Sequence, residues 1–213
     1  MRLVNWFFMV AAGFSAAQGF AGQGLVLGHP TYGGTGCPRG SASVTLSPDQ
    51  QALSILFDQF TLEAGGMSGK RIDRKGCNIA IPFQVPQGFS VSILEVDYRG
   101  FYSLPRSAFS QFNVEYFFAG GRGPSFSKRF FGPASQDFTI DHALSAVATV
   151  WSPCGASVIL RTNASMFVQT NSRGEQAIAS VDSMDLRSGI VYHLLWKRCG
   201  DGFGSGHSPG LKF

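Results

Sequence analysis

The chain has 213 residues, of which 44% are hydrophobic and 14% charged, with 27 Gly, 20 Phe and a formal net charge of +4. That is enough apolar material for one well-cored domain and too much for intrinsic disorder. Few charges with many glycines exclude coiled coils and helix bundles and suit β-rich domains, and so weak a positive charge gives no reason to expect a nucleic-acid partner.

In chain order, Met1 and Arg2 precede an apolar run from Leu3 to Ala17 that closes on the small residues Ser15, Ala16 and Ala17. A short charged start, an apolar middle and a small-residue end predict a secretory signal peptide over residues 1–21, cleaved after Ala17 or Ala21. Gln18 and the glycines from Gly19 arrive too early for the about 20 apolar residues that cross a bilayer, so no membrane span is expected. Losing residues 1–17 removes Arg2 and no acid, which lowers the net charge to +3. The expected localisation is secreted, or extracellular.

From Leu25 onward apolar and polar residues alternate, broken at Gly, Pro and Ser, and no helical period persists. The cleanest run is Cys77, Ile79, Ile81, Phe83 and Val85, where Pro82 suggests an edge or a bulge. Other strands are read at 44–46, 53–62, 89–98, 112–118, 126–131, 138–140, 147–151, 158–168, 178–186 and 190–196. Two of these break their own alternation. In the first, Phe89, Val91 and Ile93 give way to Leu94, Val96 and Tyr98, which predicts a bulge near Ile93 and puts Glu95, Asp97 and Arg99 on the opposite face. In the second, Asp58 falls between apolar neighbours and is expected to be half-buried, needing a partner. The predicted fold is all-β, an antiparallel β-sandwich or jelly roll of about ten strands over residues 22–199, followed by a flexible Gly-rich tail at 200–213.

Cys37, Cys77, Cys154 and Cys199 all lie in the exported part. An even number there predicts two disulfides, and the long gaps between them do not suit zinc. Three pairings are possible; Cys37 with Cys77 and Cys154 with Cys199 is favoured because each bridge then closes one half of the chain.

Chemistry-bearing residues are sparse. Glu95 and Asp97, two apart on one strand face, are the best candidate for the paired carboxylates of a glycosidase. Arg99 follows on that face, and a surface ladder with Arg99 paired to Asp97 is the favoured reading. Asp182 and Asp185 read as a turn rather than a calcium loop, and Asp137 and Asp141 as solvent-facing strand positions. His29, His142, His193 and His207 form no metal motif. Cleavage after Gly28 would make His29 an N-terminal copper ligand, with His142 or His193 across the sandwich, as in secreted polysaccharide monooxygenases; Leu25–Leu27, reading as a first strand, speaks against this cut. No nucleophile, phosphate or dinucleotide motif occurs, so neither a catalytic residue nor a cofactor is assigned. Lys70, Arg71, Arg74 and Lys75, with Asp73 among them, read as a solvated loop; the sharper reading is attraction to an anionic surface. Asn163, in Asn163-Ala-Ser, is a glycosylation candidate. The excess of Phe over Tyr and Trp favours core packing over sugar stacking. Even so, Tyr98, Phe101 and Tyr102 cluster around a break at Gly100, and Asp97, Tyr98, Arg99 and Tyr102 are the candidate binding residues.

Gly34-Thr-Gly-Cys-Pro, Leu56-Phe-Asp-Gln-Phe, Cys77-Asn-Ile-Ala-Ile-Pro-Phe-Gln-Val-Pro-Gln-Gly, Val96-Asp-Tyr-Arg-Gly, Trp151-Ser-Pro-Cys-Gly and Tyr192-His-Leu-Leu-Trp-Lys-Arg-Cys belong together. With Ser43-Val-Thr-Leu-Ser-Pro-Asp, they make a chain that resembles the small secreted proteins of fungi and bacteria catalogued as domain of unknown function 4360. The resemblance spans about Gly24 to Cys199. It implies export, a β-rich domain and family cysteines matching Cys37, Cys77, Cys154 and Cys199, and it carries over no activity. The expected protein is a secreted interaction module whose partner is extracellular carbohydrate or a cell-surface component. The alternatives are a polysaccharide-active enzyme and a structural coat or matrix protein.

Overall fold

Period-two alternation gives a strand one apolar face, and two sheets built of such strands stack those faces against each other. The computed structural model describes residues 24–144, 151–181 and 189–200. The expected leader, most of the run at 147–151, Asp182, Asp185, His207 and the tail beyond Gly200 lie outside the described residues.

The first sheet contains β1 (Val26–Leu27), β2 (Thr31–Gly33), β6 (Ile72–Gln84), β8 (Phe109–Phe118), β9 (Ser125–Phe131) and β11 (Ser157–Gln169). Its order is β1-β6-β11-β8-β9, with β2 also on β6. The second contains β3 (Ala42–Leu46), β4 (Ala52–Phe57), β5 (Thr61–Ala64), β7 (Phe89–Leu104), β10 (Ala134–Ala143), β12 (Ala177–Ser180) and β13 (Ile190–Arg198). Its order is β3-β4-β13-β7-β12-β5, with β10 along the other edge of β7. All pairings are antiparallel. Among the described residues one turn of 3-10 helix, Gly66–Ser68, interrupts the strands.

The core lies between the sheets. Tyr98 of β7 meets Phe112 of β8 at 5.4 Å and Phe126 of β9 at 5.1 Å between ring centroids. Tyr116 of β8 meets Tyr192 of β13 at 5.6 Å. This is the expected antiparallel sandwich, and both favoured disulfides are present. Cys37–Cys77 fastens the segment after β2 to β6, and Cys154–Cys199 fastens the segment before β11 to the end of β13.

Several local expectations change. The run at 53–62 divides into β4 and β5, because Asp58 and Gln59 form a turn in which the Asp58 N–H donates to the Ser41 carbonyl. Asp58 is exposed and water solvates its carboxylate, so no buried partner is required. Pro82 is neither on an edge strand nor at a bulge. Its carbonyl accepts from the Gly28 N–H, and since a strand residue aims both backbone groups at one edge, its missing donor falls in the gap between β1 and β2. Gly100 does not break β7. A Cβ there would sit 2.2 Å from the Ser180 carbonyl oxygen and 2.6 Å from the Phe138 ring, so glycine admits two neighbours to an unbroken strand.

Candidate functional site

Strand β7 carries the expected bulge. Leu194 of β13 faces Ile93 and His193 faces Glu95, which leaves Leu94 as the extra residue, 47% exposed rather than inward with Val96 and Tyr98 as expected. Before it Val91 and Ile93 point into the core; after it Val96 and Tyr98 do. The inserted residue therefore turns Glu95, Asp97 and Arg99 outward, where all three are half-buried.

The same alternation divides the four candidate binding residues. Tyr98 is fully buried and Tyr102 is 7% exposed, because β7 runs straight through Gly100 and carries both to the inward face. The Tyr102 hydroxyl accepts from Gln136 Nε2 at 2.6 Å and its ring packs on Phe130. Neither tyrosine offers surface to a ligand, whereas Asp97 and Arg99 stand half-buried on the outward face.

On that outward face the hydrogen-bonding partner of Asp97 is His193, with Nε2 2.9 Å from Oδ2, in place of the expected Arg99. His193 stands directly opposite Glu95, and Asp141 of β10 directly opposite Asp97. The imidazole nitrogen and one oxygen from each of Glu95 and Asp97 lie within 4.8 Å of one another. As a glycosidase pair the carboxylates are poorly placed, since both rise from one strand of an open face and a glycosidic bond lies over them rather than between them. The copper arrangement is not assembled either. His29 follows β1 beside the first sheet, whereas His193 faces away from that sheet on the second. His142 lies against Tyr116 and Phe126, across β6 and β11 from β1.

The outward face of the first sheet is a second site, one that the sequence analysis missed. Its cross-strand rows run over β6, β11, β8 and β9: Ile72, Gln169, Phe109, Phe131; then Arg74, Phe167, Gln111, Arg129; then Gly76, Ser165, Asn113, Ser127; then Asn78, Asn163, Glu115, Ser125. At one end Phe131 is 65% exposed and stacks beside Phe109, Phe109 meets Phe167 edge to face, and the Arg74 guanidinium lies 4.8 Å above the Phe167 ring. The middle is a connected polar network. Gln111 Nε2 donates to Asn113 Oδ1 at 2.8 Å and to Ser127 Oγ at 3.1 Å, Ser127 Oγ donates to Asn113 Oδ1, and Arg129 Nε donates to Gln111 Oε1 at 2.7 Å. Next to it a shallow depression of about 400 Å³ is bordered by Asn113, Glu115, Ser125, Ser127, Asn163 and Ser165.

The sequon residue Asn163 lies in that depression, half-buried, with Nδ2 3.5 Å from Glu115 Oε2. The basic stretch is not one loop. Lys70, just before β6, pairs with Asp73 of β6, Lys75 Nζ donates to the Gln59 carbonyl, and Arg74 joins the aromatic end of the outward face.

These features define a disulfide-stapled antiparallel β-sandwich with two contrasting outward faces. The chain belongs to the family described as Domain of unknown function (DUF4360), whose model matches residues 23–199. It is similar to a protein of Arthroderma benhamiae described as an uncharacterized secreted protein, with 34% identity over 170 residues, covering 79% of this chain and 69% of that one. The two disulfides accord with that location, and the protein is a secreted one. Among the described residues no helix is long and apolar enough to cross a membrane.

Proposed function

We propose that the protein is an extracellular carbohydrate-binding module and that the outward face of the first sheet is its binding surface. One observation carries this reading: an aromatic strip, with Phe131 exposed and Phe109 and Phe167 half-buried, runs directly into a hydrogen-bonded array of amide, hydroxyl and guanidinium groups on a four-strand platform. A sugar ring offers an apolar face to stack and hydroxyls that both donate and accept. Asn and Gln side chains answer with one acceptor and two donors each, already oriented by their neighbours. Preorganised groups lose little freedom on binding, which favours an open, shallow surface.

The reading also rests on two expectations about processing. The leader over residues 1–21 is removed after Ala17 or Ala21, and Asn163 stays bare, because a glycan there would stand on the binding surface. The intact mass of the secreted product reads both.

The test is retention on insoluble polysaccharides, with Phe131→Ala, Asn113→Ala and, as a control on the other sheet, Asp137→Ala. Retention is expected for the parent and the control, and about tenfold weaker binding for each face variant, the scale of one lost stacking or hydrogen-bonding contact in a site. No retention on any polysaccharide, retention indifferent to the face variants, binding abolished by salt alone, or an occupied Asn163 would each overturn it.

A further inference from the structure

The outward face of the second sheet holds chemistry that sugar binding does not use. His193 Nε2 and Asp97 Oδ2 are 2.9 Å apart, and a Glu95 carboxylate oxygen completes a set in which all three donor atoms lie within 4.8 Å. Two ligands of one ion with bonds of about 2.1 Å stand roughly 3.0 to 3.4 Å apart at right or tetrahedral angles. The His193–Asp97 pair is already at about that separation, and the flexible Glu95 side chain spans the rest. The donors come from rigid elements, i and i+2 on β7 and the directly opposed position on β13, and the Leu94 bulge is what turns the two carboxylates toward the imidazole.

We propose that Glu95, Asp97 and His193 form a binding site for a divalent transition-metal ion of the zinc class. The imidazole separates this set from a cluster of acids. Calcium and magnesium take oxygen ligands, whereas mixed imidazole and carboxylate donors suit zinc and its neighbours. Local charge agrees: Asp141, opposite Asp97, adds a third carboxylate to the face, against Arg99 as the cation next along β7. In the loaded site His193 keeps its proton on Nδ1, so that the Nε2 lone pair meets the ion in place of the hydrogen bond to Asp97. The His193 side chain is 40% exposed, so the ion's remaining positions are open to water. This proposal does not depend on the carbohydrate reading, since the two sites lie on opposite faces of the sandwich.

The test is calorimetric zinc titration of the secreted protein, with the visible spectrum of the cobalt-substituted form as a second readout. One ion per chain is expected. His193→Ala and Asp97→Asn should each weaken binding by more than the about 10- to 100-fold that loss of a supporting group costs, and His193→Ala should abolish the cobalt spectrum. Glu95→Gln serves as a further variant, and unchanged metal-free thermal midpoints show that all three fold. Three results would overturn the proposal: no saturable zinc binding, which leaves a His193–Asp97 hydrogen bond alone; zinc binding that survives His193→Ala; and magnesium or calcium bound as tightly as zinc.

Discussion

Two core tyrosines on neighbouring strands place opposite demands on their hydroxyls. Tyr192 Oη lies 2.7 Å from Thr162 Oγ1, and both side chains are fully buried, so each satisfies the other across the two sheets. Tyr98 Oη is buried without a hydrogen-bond partner among the described residues, while its ring is held between Phe112 and Phe126. An unpaired buried hydroxyl forfeits its hydration for nothing, whereas a paired one leaves an orphan behind when it is removed. Tyr192→Phe is therefore expected to lower stability by about 1 kcal/mol, and Tyr98→Phe to leave it unchanged or raise it by up to about 1 kcal/mol. Urea denaturation of the two variants checks this pair, and a larger loss for Tyr98→Phe would sink the argument. Tyr98 sits there for its ring, which is also why it is useless as a surface residue.

Strand β7 organises the second sheet, and it shows what alternation alone can and cannot tell. The phase change after Ile93 was legible as a bulge because apolar residues swap parity there, and the outward direction of Glu95, Asp97 and Arg99 follows at once. The partner of Asp97 was not legible, since His193 lies 96 residues away and meets it only through the β7–β13 register. The polar face of the first sheet was hidden for the same reason. Phe109, Gln111, Asn113 and Glu115 alternate visibly along β8, yet their meaning comes from rows supplied by β6, β9 and β11. Gly100 misled because a glycine demanded by close approach looks the same in sequence as one that ends a strand. The disulfides, by contrast, followed from four cysteines and the two halves of the chain. They differ in surroundings: Cys37 and Cys77 are fully buried, whereas Cys154 is exposed and Cys199 half-buried. Thiol attack needs access to a sulfur, so mild reductant is expected to open Cys154–Cys199 first and Cys37–Cys77 only with unfolding. Alkylation followed by mass spectrometry at successive reductant concentrations reads the order, and early loss of Cys37–Cys77 contradicts it. Each bridge closes a loop of about forty residues and contributes about 4 kcal/mol in the chain-entropy model, so the second opening should coincide with loss of the fold.

For the molecule as a whole, the tyrosines between the sheets set an alkaline limit. Burial pushes the Tyr116 phenol from 10.0 up to about 12. Burial raises Tyr98 and Tyr192 as well, and the neighbouring phenols raise Tyr98 further, because a second phenolate near the first is opposed by like charge. In the unfolded chain all three ionise near pH 10; in the fold they remain protonated. Above pH 10 the unfolded state therefore binds fewer protons than the native state, and stability falls as pH rises. Below pH 10 the contribution is fully present, and it is lost as pH climbs through the folded-state values. Each tyrosine withdraws about 1.4 kcal/mol per pH unit in that window, and the three together about 4 kcal/mol per unit. A domain whose total stability is of order 5–15 kcal/mol cannot absorb that for long, so cooperative unfolding is expected between about pH 11 and 12. Tyrosinate absorbance followed beside circular dichroism checks it. Ionisation of the buried set should coincide with loss of the sheets, whereas smooth titration near pH 10 in an intact fold would mean that water reaches the space between the two sheets.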